Sequence, residues 1–432
     1  MAEVAYATTA DGVAKKKHTK IIKLLPDKRL VVGEVVKYDA EQEIGASIES
    51  LTYLTHEHGF TAIGAAGAPQ DLEPSAVAES KPALMTPTSV HLTTRITHEI
   101  LSAASSKGDK AYEKYMDGTM RRLKKAMDLR EEVRKLYGGA ALCQASAAAT
   151  EVTATTGTFV ISDATFAPLT WIGSRGMRLD AYTAAGTKLN AASAITVTSF
   201  TPSTRTIAFT TDATSVDAIV AAGTDCYFYY RSYYGNDGQG LISIASLNAS
   251  SGNYLSVACG TYADVWTATQ QDWDHSTEQF SWTKLNNGIE EAIGHGLDAE
   301  ELLCFPSFKA WRHLCSNLEA LRALDSGYSA TKTEVGHEID SLSYHSVSGA
   351  KVTLKPSPCI QRRHVLVMAK PDELNEICMA GSTPPKFGVP GEADDKIVVQ
   401  IPRTNYVEVS MFGRLGVWAP CPNQFLLFRP AA

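Results

Sequence analysis

The sequence predicts a mixed α+β protein, on three observations. One long segment, residues 106–137, carries apolar side chains at helical spacing. A second, 150–240, is poor in charge and alternates with period two. From 241 to the end the two periods take turns.

The elements follow in chain order. Residues 1 to about 35 form a polar, basic arm leading into Lys28-Arg29-Leu30-Val31-Val32. Lys15, Lys16, Lys17, His18 and Lys20 make its basic run, which reads as a candidate DNA-facing arm or as a solvated tail. From Gly45 to Arg95, short β-like pieces (Ile48 to Thr55, His91 to Ile96) flank a stretch rich in Ala, Gly, Pro and Ser. A long low-complexity connection inside a compact domain is uncommon. With two extended arms it is a protruding hairpin, ordered by a partner surface.

The long helix comes next. Tyr112, Met116, Met120, Leu123, Met127, Val133 and Tyr137 fall on one face. Arg121, Arg122, Lys124, Lys125, Arg130, Arg134 and Lys135 crowd the other faces, with Asp128, Glu131 and Glu132 among them. Gly138 and Gly139 supply a left-handed stop. A helix with a narrow apolar stripe suits an element that crosses a sheet and meets neighbouring subunits. Arg121, Arg122, Lys124, Lys125, Asp128, Glu131 and Glu132 are therefore candidate inter-subunit contacts. An ordinary surface helix of an enzyme has the same pattern.

Between Thr150 and Gly240, Leu179 and Ala181, Ile195 and Val197, Ile207 and Phe209, and Cys226 and Phe228 alternate with polar or aromatic neighbours. Threonine and aromatics at period two mark strands. Turn residues at Gly186, Pro202-Ser203 and Gly223 separate them. The segment reads as a small antiparallel barrel or sandwich inserted in the host domain. Further on, Trp282, Leu285, Ile289 and Ile293 form a helical stripe stopped by Gly294 and Gly296. Glu301 to Phe305 is a short buried strand, and Ser307 is placed to cap a helix with Phe308, Trp311, Leu314, Cys315, Leu318 and Leu321 on its apolar face. Strands follow at 350–355 and Val365 to Met368, then a short helix around Glu373 to Cys378. Val398 to Ile401, Val407 to Met411 and Phe425 to Phe428 close the chain as strands.

Bulk properties narrow the function. The 432 residues suit two to four domains, and 44% hydrophobic with 20% charged residues suits a folded soluble chain. A net charge of −7 argues against a surface that wraps nucleic acid throughout. The N-terminal sequence lacks an apolar run of signal-peptide length, and no segment reaches membrane-span length. The eight cysteines are scattered without metal-site spacing and read as reduced, buried thiols of a cytosolic product.

Catalytic grammar is sparse. Phosphate-loop, dinucleotide-binding and nucleophile-elbow motifs are absent. His56-Glu57-His58 places two imidazoles on one strand face without a third ligand, so a solvated edge is favoured over a metal. His313 and Cys315 are two apart on a helix and do not share a face. Tyr227-Phe228-Tyr229-Tyr230 with Tyr233-Tyr234 can stack on bases, but a strand packed on both sides is favoured. Asp272, Asp274 and His275 beside Trp273 resemble a carboxylate pair or a helix-entry loop. No catalytic, cofactor-binding or metal residue is assigned.

The order of parts resembles the major capsid proteins of tailed bacteriophages, the Hong Kong 97 fold. The segment VHLTTRITHEILSAASSKGDKAYEKYMDGTMRRLKKAMDLREEVRKLYGG is similar to that family's loop return strand and spine helix. GTKLNAASAITVTSFTPSTRTIAFTTDATSVDAIVAAGTDCYFYYRSYYGNDGQGLISI is similar to the inserted β-domain of some members, with its exit into the axial domain. GAKVTLKPSPCIQRRHVLVMAKPDELNEI and KIVVQIPRTNYVEVSMFGRLGVWAP resemble its closing strands. The resemblance covers most of residues 45–432 and rests on element order.

It implies an N-terminal arm (1–44), an extended β-hairpin loop (45–95), and a spine helix with the first part of a peripheral domain (96–149). An inserted β-barrel or sandwich (150–238), an axial domain (239–345) and return strands completing both domains (346–432) follow. It implies a non-catalytic subunit, without cofactors, that assembles with copies of itself into pentamers and hexamers of an icosahedral shell around double-stranded DNA. Implied partners are scaffolding, portal and decoration proteins and non-specific contact with packaged DNA, without a membrane. The implied location is the virion, after assembly in the host bacterial cytoplasm. A missing helical region before the arm points to a separate scaffold. Some members join a loop lysine to an asparagine of a neighbour. Lys81 is a loop lysine, but no partner asparagine matches, so the crosslink is not carried over. Three alternatives stand beside this reading: the shell protein of a bacterial nanocompartment of the same fold, an α+β hydrolase with a β binding module, and another virion part such as a tail or decoration protein.

Overall fold

The computed structural model describes residues 37–39, 48–57, 78–85, 88–99, 102, 109–190, 193–234, 240–274, 278–298, 300–324, 342–346, 349–370, 378–387, 398–400, 404–419 and 421–430. It is an α+β molecule organised around one long helix, α1 (Asp109–Tyr137). The helix ends where Gly138 takes φ 53°, the left-handed conformation that stops a helix and that glycine adopts without steric cost.

Helix α1 joins two packed regions. Its Leu123 and Met127 pack with Ile96, Val409 and Met411 of a five-stranded sheet. Two turns later Val133, Leu136 and Tyr137 enter the main core. The five-stranded sheet pairs Tyr406–Trp418 with Thr88–Thr97, Cys378–Phe387 and Val398–Gln400, all antiparallel. Lys37–Asp39 adds to Cys378–Phe387 in parallel.

Two elements of this region differ from the sequence expectation. The residues expected as the hairpin's return strand, Thr88–Thr97, belong instead to the five-stranded sheet. The return strand is Ser80–Met85, paired with Ile48–Tyr53. Its Pro82 argues against a strand in sequence. The backbone resolves this. The Leu84 N–H points away from Ile48–Tyr53 and donates to Leu255 O at 3.0 Å, so Pro82, two residues earlier, sits where no ladder donor is needed. Cys378, expected at the end of a helix, opens a strand, and the rest of that expected helix lies outside the described residues. Pro384 and Pro385 hid this strand. Its register shifts between Thr383 and Lys386, where a bulge accommodates them.

Residues 143–230 supply a seven-stranded antiparallel sheet: Cys143–Gln144, Tyr227–Tyr230, Arg178–Tyr182, Ile195–Thr201, Thr206–Thr210, Thr156–Val160 and Thr150–Thr153. Ser146 N donates to Val160 O at 2.8 Å and Ser162 N to Gln144 O at 2.9 Å, which closes the sheet into a barrel. The alternating apolar residues point inward. Leu179, Ala181, Ile195, Ile207 and Phe228 are fully buried, and the Phe159 and Phe228 rings stack at 3.9 Å. Two helices accompany the barrel, α2 (Pro168–Trp171) and α3 (Ala213–Ala222). The Asp212 side chain caps α3 by accepting from Ser215 N at 3.1 Å.

A six-stranded mixed sheet forms the last layer, in the order Thr269–Trp273, Phe425–Pro430, Val365–Ala369, Glu301–Pro306, Lys351–Leu354, Leu342–His345. Helix α4 (Leu241–Ala245) leads towards it, and α5 (Trp282–Gly294) and α6 (Phe308–Leu324) accompany it. Leu285, Ile289 and Leu314 are fully buried against its strands. Ser307 caps α6, its Oγ accepting from Ala310 N at 3.4 Å. Phe308, expected on the apolar face, is instead 37% exposed. It is the first residue of α6, where Ala310 and Leu314 take the core positions.

The layers are locked at the end of α1. The Tyr137 hydroxyl, 2% exposed, donates to Cys359 O at 2.7 Å and accepts from Gln361 N at 2.9 Å. Ser243 Oγ donates to Tyr137 O at 2.9 Å. Cys143, Cys226, Cys259, Cys304 and Cys359 are buried free thiols, as the apolar context of Cys304 implied.

Candidate assembly surfaces

The hairpin made by Ile48–Tyr53 and Ser80–Met85 has two unlike faces. Period two puts Thr52, Leu54 and Ala83 inward, and all three are buried. The register pairs Leu51 with Pro82, Glu49 with Leu84 and Tyr53 with Ser80, so Leu51, Tyr53, Pro82 and Leu84 share the outer face. Leu51 is 59%, Tyr53 72% and Leu84 41% exposed. This is a contiguous apolar strip on a two-stranded element, which cannot shield it by itself.

The root of the hairpin is anchored to the chain's own body. Besides the Leu84–Leu255 bond, Leu54 N donates to Glu79 O at 2.8 Å and Glu79 N to Thr55 Oγ1 at 2.7 Å. The Tyr262 hydroxyl donates to Glu79, and Lys81 lies 4.8 Å above the Tyr262 ring and 3.4 Å from the Glu79 carboxylate. The Tyr262 hydrogen bond, with Lys81 beside it, holds the Glu79 carboxyl below its ordinary range. The apolar strip is therefore presented in one orientation.

The candidate residues of α1 divide by depth. Arg121, Arg122 and Lys124 are exposed, and Arg122 is aligned along the helix by bonds to Gly118 O and Thr119 Oγ1, both 3.2 Å. Lys125 and Asp128 are half-buried. Burial pushes the Asp128 carboxyl up, against Lys124 and Lys135. Glu131 and Glu132 depart from the expectation: they are 9% and 2% exposed, enclosed by the chain itself together with Arg134 and Lys135. Residues 131 to 138 are buried all round, because the barrel and the 359–361 segment surround the helix end. Burial lowers the Lys135 pKa, with Glu131, Glu132 and Asp128 opposing. The last two turns thus hold an ionic cluster inside the molecule. Sequence shows the charges but not which turns the fold encloses. Lys15, Lys16, Lys17 and Lys20 lie outside the described residues.

The remaining candidates are placed as follows. His56 and Glu57 are exposed, and His58 lies outside the described residues. No group of three or more His, Cys, Asp or Glu side chains suited to a metal occurs among the described residues. Asp272 pairs with Arg429 at 3.2 Å across adjacent strands. Phe228 of the aromatic run faces the barrel interior, while Tyr229, Tyr182 and Tyr234 pack on one another, the Tyr182 and Tyr234 rings stacked at 4.1 Å. No helix among the described residues is long and apolar enough to cross a membrane.

Solved structures supply the comparison. The chain is similar to the cyanophage A-1(L) capsid asymmetric unit, with a TM-score of 0.52 and 11% identity over 95% of this chain and 96% of that one. This chain has the Hong Kong 97-type capsid fold. Lower scores relate it to the capsid of Myoviridae phage XM1 (TM-score 0.44, 8% identity, 96% of each chain) and to mycobacterium phage Adephagia (TM-score 0.43, 8% identity, 98% of this chain and 97% of that one). No protein-family model and no curated protein matches the chain.

Proposed function

We propose that this protein is the major capsid protein of a tailed bacteriophage, a structural, non-catalytic subunit that assembles into an icosahedral shell around double-stranded DNA. The observation that carries this reading is the end-to-end likeness to the cyanophage A-1(L) capsid unit, which spans 95% of the chain. The hairpin adds a physical reason. A strip of Leu51, Tyr53, Pro82 and Leu84 held outward is stable in water only at a cost that a neighbouring copy relieves.

In this proposal the hairpin's outer face packs on an adjacent subunit, and Arg121, Arg122 and Lys124 form ion pairs across the same or a nearby seam, each worth little alone. Lys125 and Asp128 support that seam from its edge. Lys15, Lys16, Lys17 and Lys20 meet packaged DNA without sequence preference. Pentamers and hexamers of this chain, with scaffolding, portal and decoration proteins, complete the particle. Assembly takes place in the host bacterial cytoplasm and the product is the virion shell.

Sedimentation of the chain expressed alone, and with the genes beside it, tests this reading. Assembly gives a species of megadalton size or discrete capsomers. A 46.5 kDa monomer under every condition, scaffold included, rejects it.

A further inference from the structure

We propose that a cluster of cationic side chains between the barrel and the six-stranded sheet binds a phosphate group. Its centre is Asp163, which follows the barrel strand Thr156–Val160. Arg205 and Arg362 contact Asp163 Oδ1 at 2.6 and 2.9 Å, while Lys309 and Arg363 stand 3.8 and 3.9 Å from Oδ2. Arg312 lies close enough to act on Lys309, and Asp274 close enough to act on Arg363. Among the described residues five cations thus face two carboxylates, in a chain whose net charge is −7.

Three local rules are broken together here. Lys309 sits in the first turn of α6, which carries no acid, although a helix N-terminus favours anions and disfavours cations. Burial, and then Arg363, Arg362 and Arg312, lower the Lys309 pKa despite Asp163. The Arg363 Nε atom is buried with no hydrogen-bond acceptor among the described residues. Asp163 cannot satisfy them all. Burial raises its carboxyl, but the Arg362 hydrogen bond and the charges of Arg205 and Lys309 hold it below the ordinary range.

A clamp between barrel and sheet is made by a carboxylate and a cation, whereas cations crowded together disfavour one another's charged forms. Places where local rules fail without compensation are where function is expected. The Phe166 ring, 4.7 Å from the Arg362 guanidinium, compensates that group in part; an anion with several acceptor oxygens would supply what the described residues leave over. Guanidinium forks and a helix N-terminus both suit phosphate. The Arg205, Lys309, Arg362 and Arg363 side chains keep 27 to 39% of their surface exposed, so a ligand reaches them from solvent. The phosphate is either free, as inorganic phosphate or pyrophosphate, or part of a DNA backbone. The inference stands on this geometry and does not depend on the shell.

The test titrates phosphate and then pyrophosphate into the full chain by calorimetry, with ionic strength held constant by chloride. Lys309→Gln and Arg312→Gln are compared with the parent. Saturable binding is expected, weakened about tenfold by Lys309→Gln. Without phosphate, Lys309→Gln should melt above the parent, because a repelling charge is gone. A clamp with no ligand predicts the reverse: no saturable binding and a lower melting temperature. Unchanged binding in both variants also overturns the proposal. Displacement of pyrophosphate by a short DNA duplex identifies the backbone as the source, and its absence identifies free phosphate.

Discussion

Replacing Leu51 and Leu84 with lysine together isolates the outer face of the hairpin from its fold. Both side chains point away from the body, while Thr52, Leu54 and Ala83 hold the inner face. The double variant should therefore unfold within about 0.5 kcal/mol of the parent, as surface changes do. Its effect on assembly is larger. Leu51 is 59% and Leu84 41% exposed, so the pair leaves the equivalent of about one leucine for a neighbour to cover. Covering one leucine is worth roughly 1.5–3 kcal/mol. Each subunit carries one such hairpin, so the critical concentration for assembly should rise about 10- to 100-fold. Light scattering against protein concentration reads that number, with circular dichroism and urea unfolding as controls for the fold. A variant that folds normally and assembles at the parent's concentration refutes the assignment of this face to a subunit contact.

Other expectations follow from single contacts. Tyr137→Phe leaves Cys359 O and Gln361 N buried without their shared partner, which should cost about 2–4 kcal/mol in urea unfolding. Gly240→Ala should prevent accumulation of folded protein, because a Cβ there falls 2.3 Å from Gly138 N and 2.4 Å from Tyr137 C, both backbone atoms. The half-buried His364 ring is desolvated at Nδ1, which with Arg429 and Arg363 nearby pushes its pKa from 6.5 to about 4. The unfolded chain then binds the proton more readily, so stability falls as pH drops from 6.5 towards 4, by up to roughly 3 kcal/mol. His364→Gln should flatten melting temperature against pH across that window. An equal slope in both proteins would remove His364 from the account.

Much of the architecture is legible in the sequence where one periodicity acts alone. The barrel strands at Leu179, Ile195, Ile207 and Phe228 have one apolar face each, and each face is buried. The stripe of α5 and the glycine stop of α1 are legible for the same reason. Reading fails where a local signal is overruled by partners distant in sequence. Pro82 and Pro384-Pro385 disqualify strands that the sheet accommodates at an outward-facing position and a bulge. Glu131, Glu132, Arg134 and Lys135 signal a solvated face, yet the barrel and the 359–361 segment close over them. Helix α3 is rich in alanine and valine inside a β-like stretch, so its helical period carries little contrast. Of the candidate contacts on α1, charge alone could not separate exposed Arg121 from enclosed Glu132. Asp163 has no sequence signature, because its partners lie 42 residues away at Arg205 and 199 away at Arg362.

Electron microscopy of the assembled fraction bears most directly on the shell itself. The account predicts closed particles, or rings of five and six, in which the strip of Leu51, Tyr53, Pro82 and Leu84 is covered by an adjacent copy. Particles built with that strip facing solvent, or a chain that stays monomeric with its scaffold present, would contradict it.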